Sequence, residues 1–566
     1  MELQRLIARA RGEEPADLVV TGARVVNVFS GEIHEADVAI ADGIFLGFGD
    51  YEARERLDAG GRFMCPGLVE GHIHVESTLL APVEFARAVA ARGTAAVVCD
   101  PHEIANVYGR DGVEYMLRSS ESLPVAMYFM VPSCVPATTM ETAGAVLTAD
   151  DIAWLFQKFP DRVLGLAEMM NYPGVLFRDS EVLRKLETAK GRVLDGHAPL
   201  LTGRDLNAYI AAGPGSDHEC TKLEEAREKL SKGMHIFMRE GSNEHNVREL
   251  APLLNPYNAA NLSLVSDDRS PLDLAYKGHL DYSIRLAMLC GISPLHAIQA
   301  ATINTARYFG LKRHGAIAPG RRADFMLLDA LESFSIAGVY LGGKPVESLD
   351  FKGGNAAVPG GSIHVAPFGP DIFHIPARLG SLRVIDIFPG QIVTGKAVLS
   401  PTIHGDRVEA DAARDMAKLA VIERHQASGR AGLGFVRGLK LPRGAVAGTV
   451  AHDSHNLIVA GMNDADMYLA AREVIDMCGG FVVVCEGKVQ ARLPLPVAGL
   501  MSLAPLETVS EELVQLQRAY GLMGGGLEDP FTILQFLALP VIPRLKLTDK
   551  GLVDVESFSI VDLWEV

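Results

Sequence analysis

The stretch GLVEGHIHVEST, residues 67–78, sets two histidines one residue apart at the end of a short apolar run. Side chains alternate across an extended strand, so positions i and i+2 share a face and His72 and His74 can offer their imidazoles to one ligand. Four later apolar runs close in the same way, with Glu168 in LGLAEMM, His197 in LDGHAP, His218 in SDHEC and Asp267 in LVSDDR. A divalent ion takes about four to six such ligands, and six groups that include a bridging carboxylate can hold two ions. Coordination lowers the pKa of water from 15.7 to roughly 7, and ions about 3.5 to 4 Å apart orient both attack and departure. This donor set therefore predicts hydrolysis by a metal-activated hydroxide.

Groups so far apart in sequence need a scaffold that returns the chain to one rim. Between residues 67 and 310, apolar runs alternate with helical segments: GLVEG, TAAVVCD, VAMYFMV, RVLGLAE, RVLDGHA, GSDHEC, HIFMREG and LSLVSDD. Between them lie stretches such as TGRDLNAYIAAG, where Thr202 is placed to cap a helix, Asp205 sits three residues on and Gly213 stops it. Eight such units in series predict an α/β fold, a (β/α)₈ TIM-like barrel whose site lies at the C-terminal ends of its strands. Residues 18–66 read as consecutive antiparallel strands joined by tight turns. Residues 314–365 return to short strands, and neither piece has enough of them to bury a face alone. The expectation is a composite β-sandwich domain from residues 1–66 plus 311–369, a metal-binding barrel over 67–310, and a C-terminal α+β domain over 370–566. In the last, Asn463 opens a helix and LMGGGLEDPF forms a flexible connection or a closure over the site.

The 566-residue chain is 48% hydrophobic and carries a formal charge of −17, which suits a small-molecule substrate and argues against a nucleic acid partner. Seven scattered cysteines without a C-x-x-C pair indicate neither a disulfide framework nor a zinc ribbon. No window reaches the apolar length of a spanning helix, and the N-terminus lacks a leader pattern, so a cytoplasmic protein is expected with no membrane partner.

Other polar groups fall near the same rim. The run CDPHEIANV ends the second strand with His102 and Glu103, and HVEST puts Glu76 and Ser77 past the first ligands. Glu103 is the candidate proton donor or substrate contact, and His102 and Glu76 are further candidate contacts, Glu76 reading best as structural. In AHDSHN, His452, Asp453 and His455 lie between two strands and form an additional metal site, a lid reaching the barrel mouth, or a hydrogen-bonded turn. His235, His245, His279 and His296 begin strands or sit in helices and loops, where ordinary polar roles suffice.

The segments PGLVEGHIHVEST, AEMMNYPGV, DGHAP, SDHEC and LVSDDR together resemble the amidohydrolase superfamily and, within it, the adenine deaminase family. The resemblance spans essentially the whole chain, including GTVAHDSHNLIVAG. Glu168 stands where many binuclear relatives of this kind carry a carboxylated lysine, which favours the deaminase branch over dihydroorotases and hydantoinases. It implies His72, His74 and Asp267 on the more buried ion, His197 and His218 on the other, and Glu168 bridging, with manganese or iron as the metals. The implied reaction is hydrolysis of adenine to hypoxanthine and ammonia in purine salvage, in a homo-oligomer, with a dimer expected. Attack at C6 needs a base, for which Asp267 is the candidate, and an acid at N1. The alternatives are a related binuclear enzyme acting on a cyclic amide or another aminopurine, and a non-catalytic scaffold, which should have lost ligands.

Overall fold

The structure is a computed structural model that describes residues 3–358 and 361–565. All eight apolar runs are parallel strands, at Leu68–His74, Thr94–Cys99, Ala126–Val131, Val163–Met169, Val193–Gly196, Ser216–Asp217, His235–Arg239 and Leu262–Val265. The eighth breaks at Ser266 and resumes at Asp267–Asp268, which pairs with Ile73 and His74 of the first strand and closes the barrel. The fifth and sixth strands share no regular ladder. Gly215 N donates to Leu194 O at 2.8 Å, and Gly196 N donates to Ser216 Oγ at 3.3 Å. A Cβ on Gly196 would lie 2.2 Å from Ser216 O, so only glycine allows the two strands to approach here.

The barrel interior is packed by Val69, Ala96, Val98, Met130, Ala167, Phe237 and Val265, with Phe309 and Leu311 against them. Strict alternation from Val69 and Gly71 would turn His72 outward. The pairing with the second strand slips instead: Glu70 opposes Val97 and Ile73 opposes Cys99, so three steps on one strand match two on the other. Such a bulge re-aims the side chains that follow it. It brings His72 and His74 inward, their ring centroids 4.9 Å apart.

The two flanks of the chain form one eight-stranded sheet, in which Phe63–Pro66 pairs antiparallel with Phe325–Ala330. The expectation of consecutive antiparallel strands over 18–66 holds for Ala16–Val26, Ile33–Ala41 and Ile44–Phe48 only. Ala53–Asp58 and Phe63–Pro66 run parallel to the first of these, because the chain crosses over before rejoining the sheet. A second correction concerns Thr202. The helix Gly203–Ala211 begins where expected, but the threonine side chain makes no cap; the Glu228 carboxylate accepts from Gly203 N at 2.9 Å instead.

The C-terminal part is a mixed nine-stranded sheet covered by the helix Asp464–Asp476. Asn463 caps that helix as read from sequence, accepting from Asp466 N at 2.8 Å. Within LMGGGLEDPF, Gly526 N donates to Lys440 O at 3.2 Å, and Asp529 and Phe531 line a cavity that Ser77 and Asp268 of the barrel also line. Val365 and Phe368 pack with the Asp464–Asp476 helix rather than with the N-terminal sheet. The loop after the third barrel strand ties the parts together. Thr142 N and Oγ1 donate to Asp549 at 2.8 and 2.7 Å, and Asn456 Nδ2 donates to Thr142 O at 2.9 Å. Among the described residues no helix is long and apolar enough to cross a membrane.

Candidate metal centre

The six groups, from the ends of five strands, meet in one cluster, all buried except the half-buried His197. Glu168 lies at its middle with its two oxygens facing different partners. Oε1 is 3.4 Å from His74 Nε2, and Oε2 is 2.5 Å from His197 Nδ1 and 3.2 Å from His218 Nε2. Asp267 Oδ1 lies 3.1 Å from His74 Nε2 and 3.8 Å from His72 Nε2. The ring of His72 stacks on that of His218 at 4.2 Å. Asp267 adopts φ 57°, a left-handed backbone that few residues other than glycine take up, and the break in the eighth strand carries it.

The donor set fits divalent ions on its own chemistry. His72 Nε2 is fully buried and has no hydrogen-bond partner, an orphaned lone pair aimed into a nest of imidazoles and carboxylates. Burial and the neighbouring His218 hold the His72 imidazole well below its usual pKa, so it stays neutral, the form that ligates. Burial alone would raise Glu168, but His197 and His218 outweigh it and hold the carboxyl well below its usual range. Burial is likewise outweighed at Asp267 by Arg239, with His74 and His72 adding to it. Both carboxylates are thus ionised, the form that could ligate a divalent ion.

Sequence reading missed four groups. Arg239, at the end of the seventh strand, donates from Nη1 to Asp267 Oδ2 at 2.7 Å and also reaches Glu219 Oε1. Glu219 itself lies 3.5 Å from His218 Nε2. Asp100 stands 3.4 Å from His102 Nδ1, and its backbone oxygen is 2.9 Å from His74 Nδ1, which fixes Nε2 as the inward atom of that ring. Asp268 is half-buried, its Oδ1 buried and unpartnered, and it lines a cavity beside the ends of the first and eighth strands together with Ser77, Asn243, His452, Gln535 and Phe536. The only signal for them was position at a strand end, which Asp100, Arg239 and Asp268 share.

The remaining candidates fall into two groups. His102 sits inside the cluster, its Nδ1 3.5 Å from Glu168 Oε1 and its ring 4.3 Å from that of His74, rather than out over a substrate. Glu76 is buried and accepts from Ile104 N at 3.1 Å on Oε1, its Oε2 has no partner, and burial pushes its carboxyl up to about 7. Glu103 is not disposed as a proton donor. Its Oε1 lies 2.6 Å from His452 Nδ1 and its Oε2 meets His455 Nε2, so both oxygens are taken by imidazoles from the C-terminal sheet. Burial raises its carboxyl, but His452, His455 and His102 outweigh that and hold it well below the usual range. His452 in turn is lifted to about 9: burial lowers it, and Glu103 and Asp268 more than compensate. Asp453 is buried beside them, pushed up to about 6 by burial. The AHDSHN segment therefore reaches the barrel mouth.

Residues 63–346 match the amidohydrolase family, and residues 391–559 match the adenine deaminase C-terminal domain. An adenine deaminase of Oleidesulfovibrio alaskensis is 56% identical over 563 residues, covering 99% of both chains. One from Desulfatibacillum aliphaticivorans is 46% identical over 574 residues, again covering 99% of each. The chain belongs to the adenine deaminase family. It is an amidohydrolase, built on the metal-dependent barrel with an added sheet-rich C-terminal domain, and family membership implies divalent metal ions at the His/Asp-rich site.

Proposed function

We propose that the protein hydrolyses adenine to hypoxanthine and ammonia at a binuclear centre held by His72, His74, Glu168, His197, His218 and Asp267. The observation that carries this reading is the division of Glu168 between His74 on one oxygen and His197 and His218 on the other, which would let its carboxylate serve two ions. Manganese or iron suits this mixture of imidazole and carboxylate donors. Divalent ions bound there supply a strong oxygen nucleophile at neutral pH and Lewis acidity at the attacked carbon.

The chain's own groups do the rest. Asp267 keeps Oδ2 on Arg239 and turns Oδ1 toward the cluster, so it accepts the proton of the attacking water at Oδ1 and delivers it to the exocyclic amine, which leaves as ammonia. Asp268 and Ser77 line the adjoining cavity, and the Phe536 ring bounds it on one side. Glu103, with both oxygens occupied, orients other groups rather than donating a proton.

The test is ammonia release from adenine after loading with manganese or iron, with dihydroorotate and hydantoin as competing substrate classes. Glu168→Gln should lose at least a thousandfold in kcat and bind fewer than two ions per chain. Near-normal turnover in that variant would show that Glu168 bridges nothing, and preference for a cyclic amide would move the enzyme to another branch.

A further inference from the structure

Glu103, His452 and His455 form a second cluster of buried ligand-type atoms, all within 4.8 Å of one another. The tautomer of His455 is incompatible with a third metal ion there. Its Nδ1 accepts the backbone N–H of Ala451 at 3.2 Å, so the neutral ring carries its proton on Nε2, the atom that meets Glu103. A cation on Nε2 would move that proton to Nδ1 and set two donors face to face. His455 is therefore a hydrogen-bond donor that fixes the Glu103 carboxylate.

We propose that His452 is the residue that hydrogen-bonds the substrate's purine ring above the cluster, with Glu103 and His455 as its positioning residues. The proposal rests on the deamination reading and adds to it the partner of the ring that sequence reasoning left undefined. Three contacts orient the imidazole. Nδ1 is committed to Glu103 Oε1 at 2.6 Å, Phe536 stacks on the ring at 4.6 Å and 19°, and the backbone N–H donates to Gln535 O at 3.1 Å. A carboxylate on one ring nitrogen leaves the other as the working edge, which is how histidines are aimed at reacting groups. His452 lines the cavity that Ser77, three residues past His74, and Asp268, next to Asp267, also line. With Nδ1 held on Glu103, Nε2 is the ring nitrogen left to meet a purine there. Its hydrogen bond to a ring nitrogen opposes the negative charge that accumulates as C6 becomes tetrahedral.

The segment has the rigidity this role requires. Ser454 Oγ bonds Glu141, and Asn456 Nδ2 donates to Thr142 O at 2.9 Å, so two neighbours of His452 are fixed to the barrel loop. The C-terminal domain thus supplies His452, with Gln535 and Phe536, to a cavity whose other side is formed by Ser77, Asn243 and Asp268 of the barrel.

The experiment compares wild type, His452→Ala, His452→Gln and Glu103→Gln, each loaded with manganese and checked for metal content and melting temperature. His452→Ala should keep its metal and lose about a hundredfold or more in kcat/KM for adenine, most of it in kcat. His452→Gln, which places an amide near the Nε2 position, should recover part of that loss and carries the test if the alanine variant does not fold. Because Glu103 acts through His452, adding Glu103→Gln to His452→Gln should cost less than threefold more. A folded, fully metallated His452 variant within threefold of wild type would overturn the proposal while leaving the deaminase reading intact. If wild type releases no ammonia from adenine, the deaminase reading fails by itself. Calorimetric titration with hypoxanthine then decides for His452: tenfold weaker binding in the variant supports the contact, and equal or absent binding overturns it.

Discussion

Arg239 is the only guanidinium in the metal cluster among the described residues, and it lies between two carboxylates. Its Nη1 is 2.7 Å from Asp267 Oδ2, its Nε donates to Asn246 Oδ1 at 3.1 Å, and its side chain is 6% exposed. Removing one partner from a buried ion pair strands the other charges, at about 3 to 5 kcal/mol. Arg239→Met should therefore lower the melting temperature of the metal-free protein by several degrees, and manganese should restore part of the loss by neutralising Asp267 and Glu219. A metal-free variant that melts with wild type would show that the guanidinium carries no such burden. At this scale the six ligand candidates could be read from sequence because each closes an apolar run. Arg239, Glu219 and Asp100 have partners that no spacing reveals, and as letters they resemble any surface charge. Glu103 stands out in sequence by its place at a strand end, but its partners do not, because the imidazoles that engage it lie 349 and 352 residues away.

The first barrel strand shows how much an element's detail matters. A Cβ on Gly71 would sit 2.8 Å from Thr305 Cγ2 and 3.3 Å from Val265 Cγ1, inside a packed layer with no room to yield. Gly71→Ala should destabilise by about 1 to 3 kcal/mol, the usual cost of overpacking a core. Thr305→Ser removes the offending methyl and keeps the hydroxyl that donates to Ala300 O at 3.3 Å, so the double variant should recover most of that loss in urea denaturation. Absence of any rescue would place the strain elsewhere. All eight strands were legible as elements, since parallel barrel strands are buried on both faces and read as continuous apolar runs. The bulge between Glu70 and Ile73 was not legible: the H-x-H pattern requires a shared face but does not say which one. Nor was the parallel pairing of Ala53–Asp58, because a crossover leaves no mark in a short alternating segment.

Across the whole molecule, buried neutral histidines link stability to pH. Burial lowers His235 to about 3 and His314 to about 4, against roughly 6.5 in an unfolded chain. Between those values the unfolded state binds more protons than the folded one, so stability rises with pH through this window and is lost as pH falls from about 6.5 toward 3 to 4. Each such histidine contributes a slope of about 1.4 kcal/mol per pH unit there. His235→Gln keeps a polar group near Ser263 and removes one titration, so its urea-derived stability should fall less steeply than wild type between pH 6.5 and 4.5. Identical slopes would mean that His235 is not held neutral. The order of barrel, flanking sheet and C-terminal domain was visible in composition and run length, but the seating of the last part on the first was not, because docking hydrogen bonds such as Thr142 to Asp549 join residues with no sequence relation.

That seating bears on when the enzyme becomes complete during synthesis. All eight barrel strands lie before residue 270, whereas the imidazoles that engage Glu103 are at positions 452 and 455. A ribosome-bound chain that has emerged only to its midpoint already owns all six candidate ligands, yet the imidazoles that engage its Glu103 carboxylate have not been made. With His452 as the proposed purine contact, deamination would await the synthesis of the C-terminal sheet.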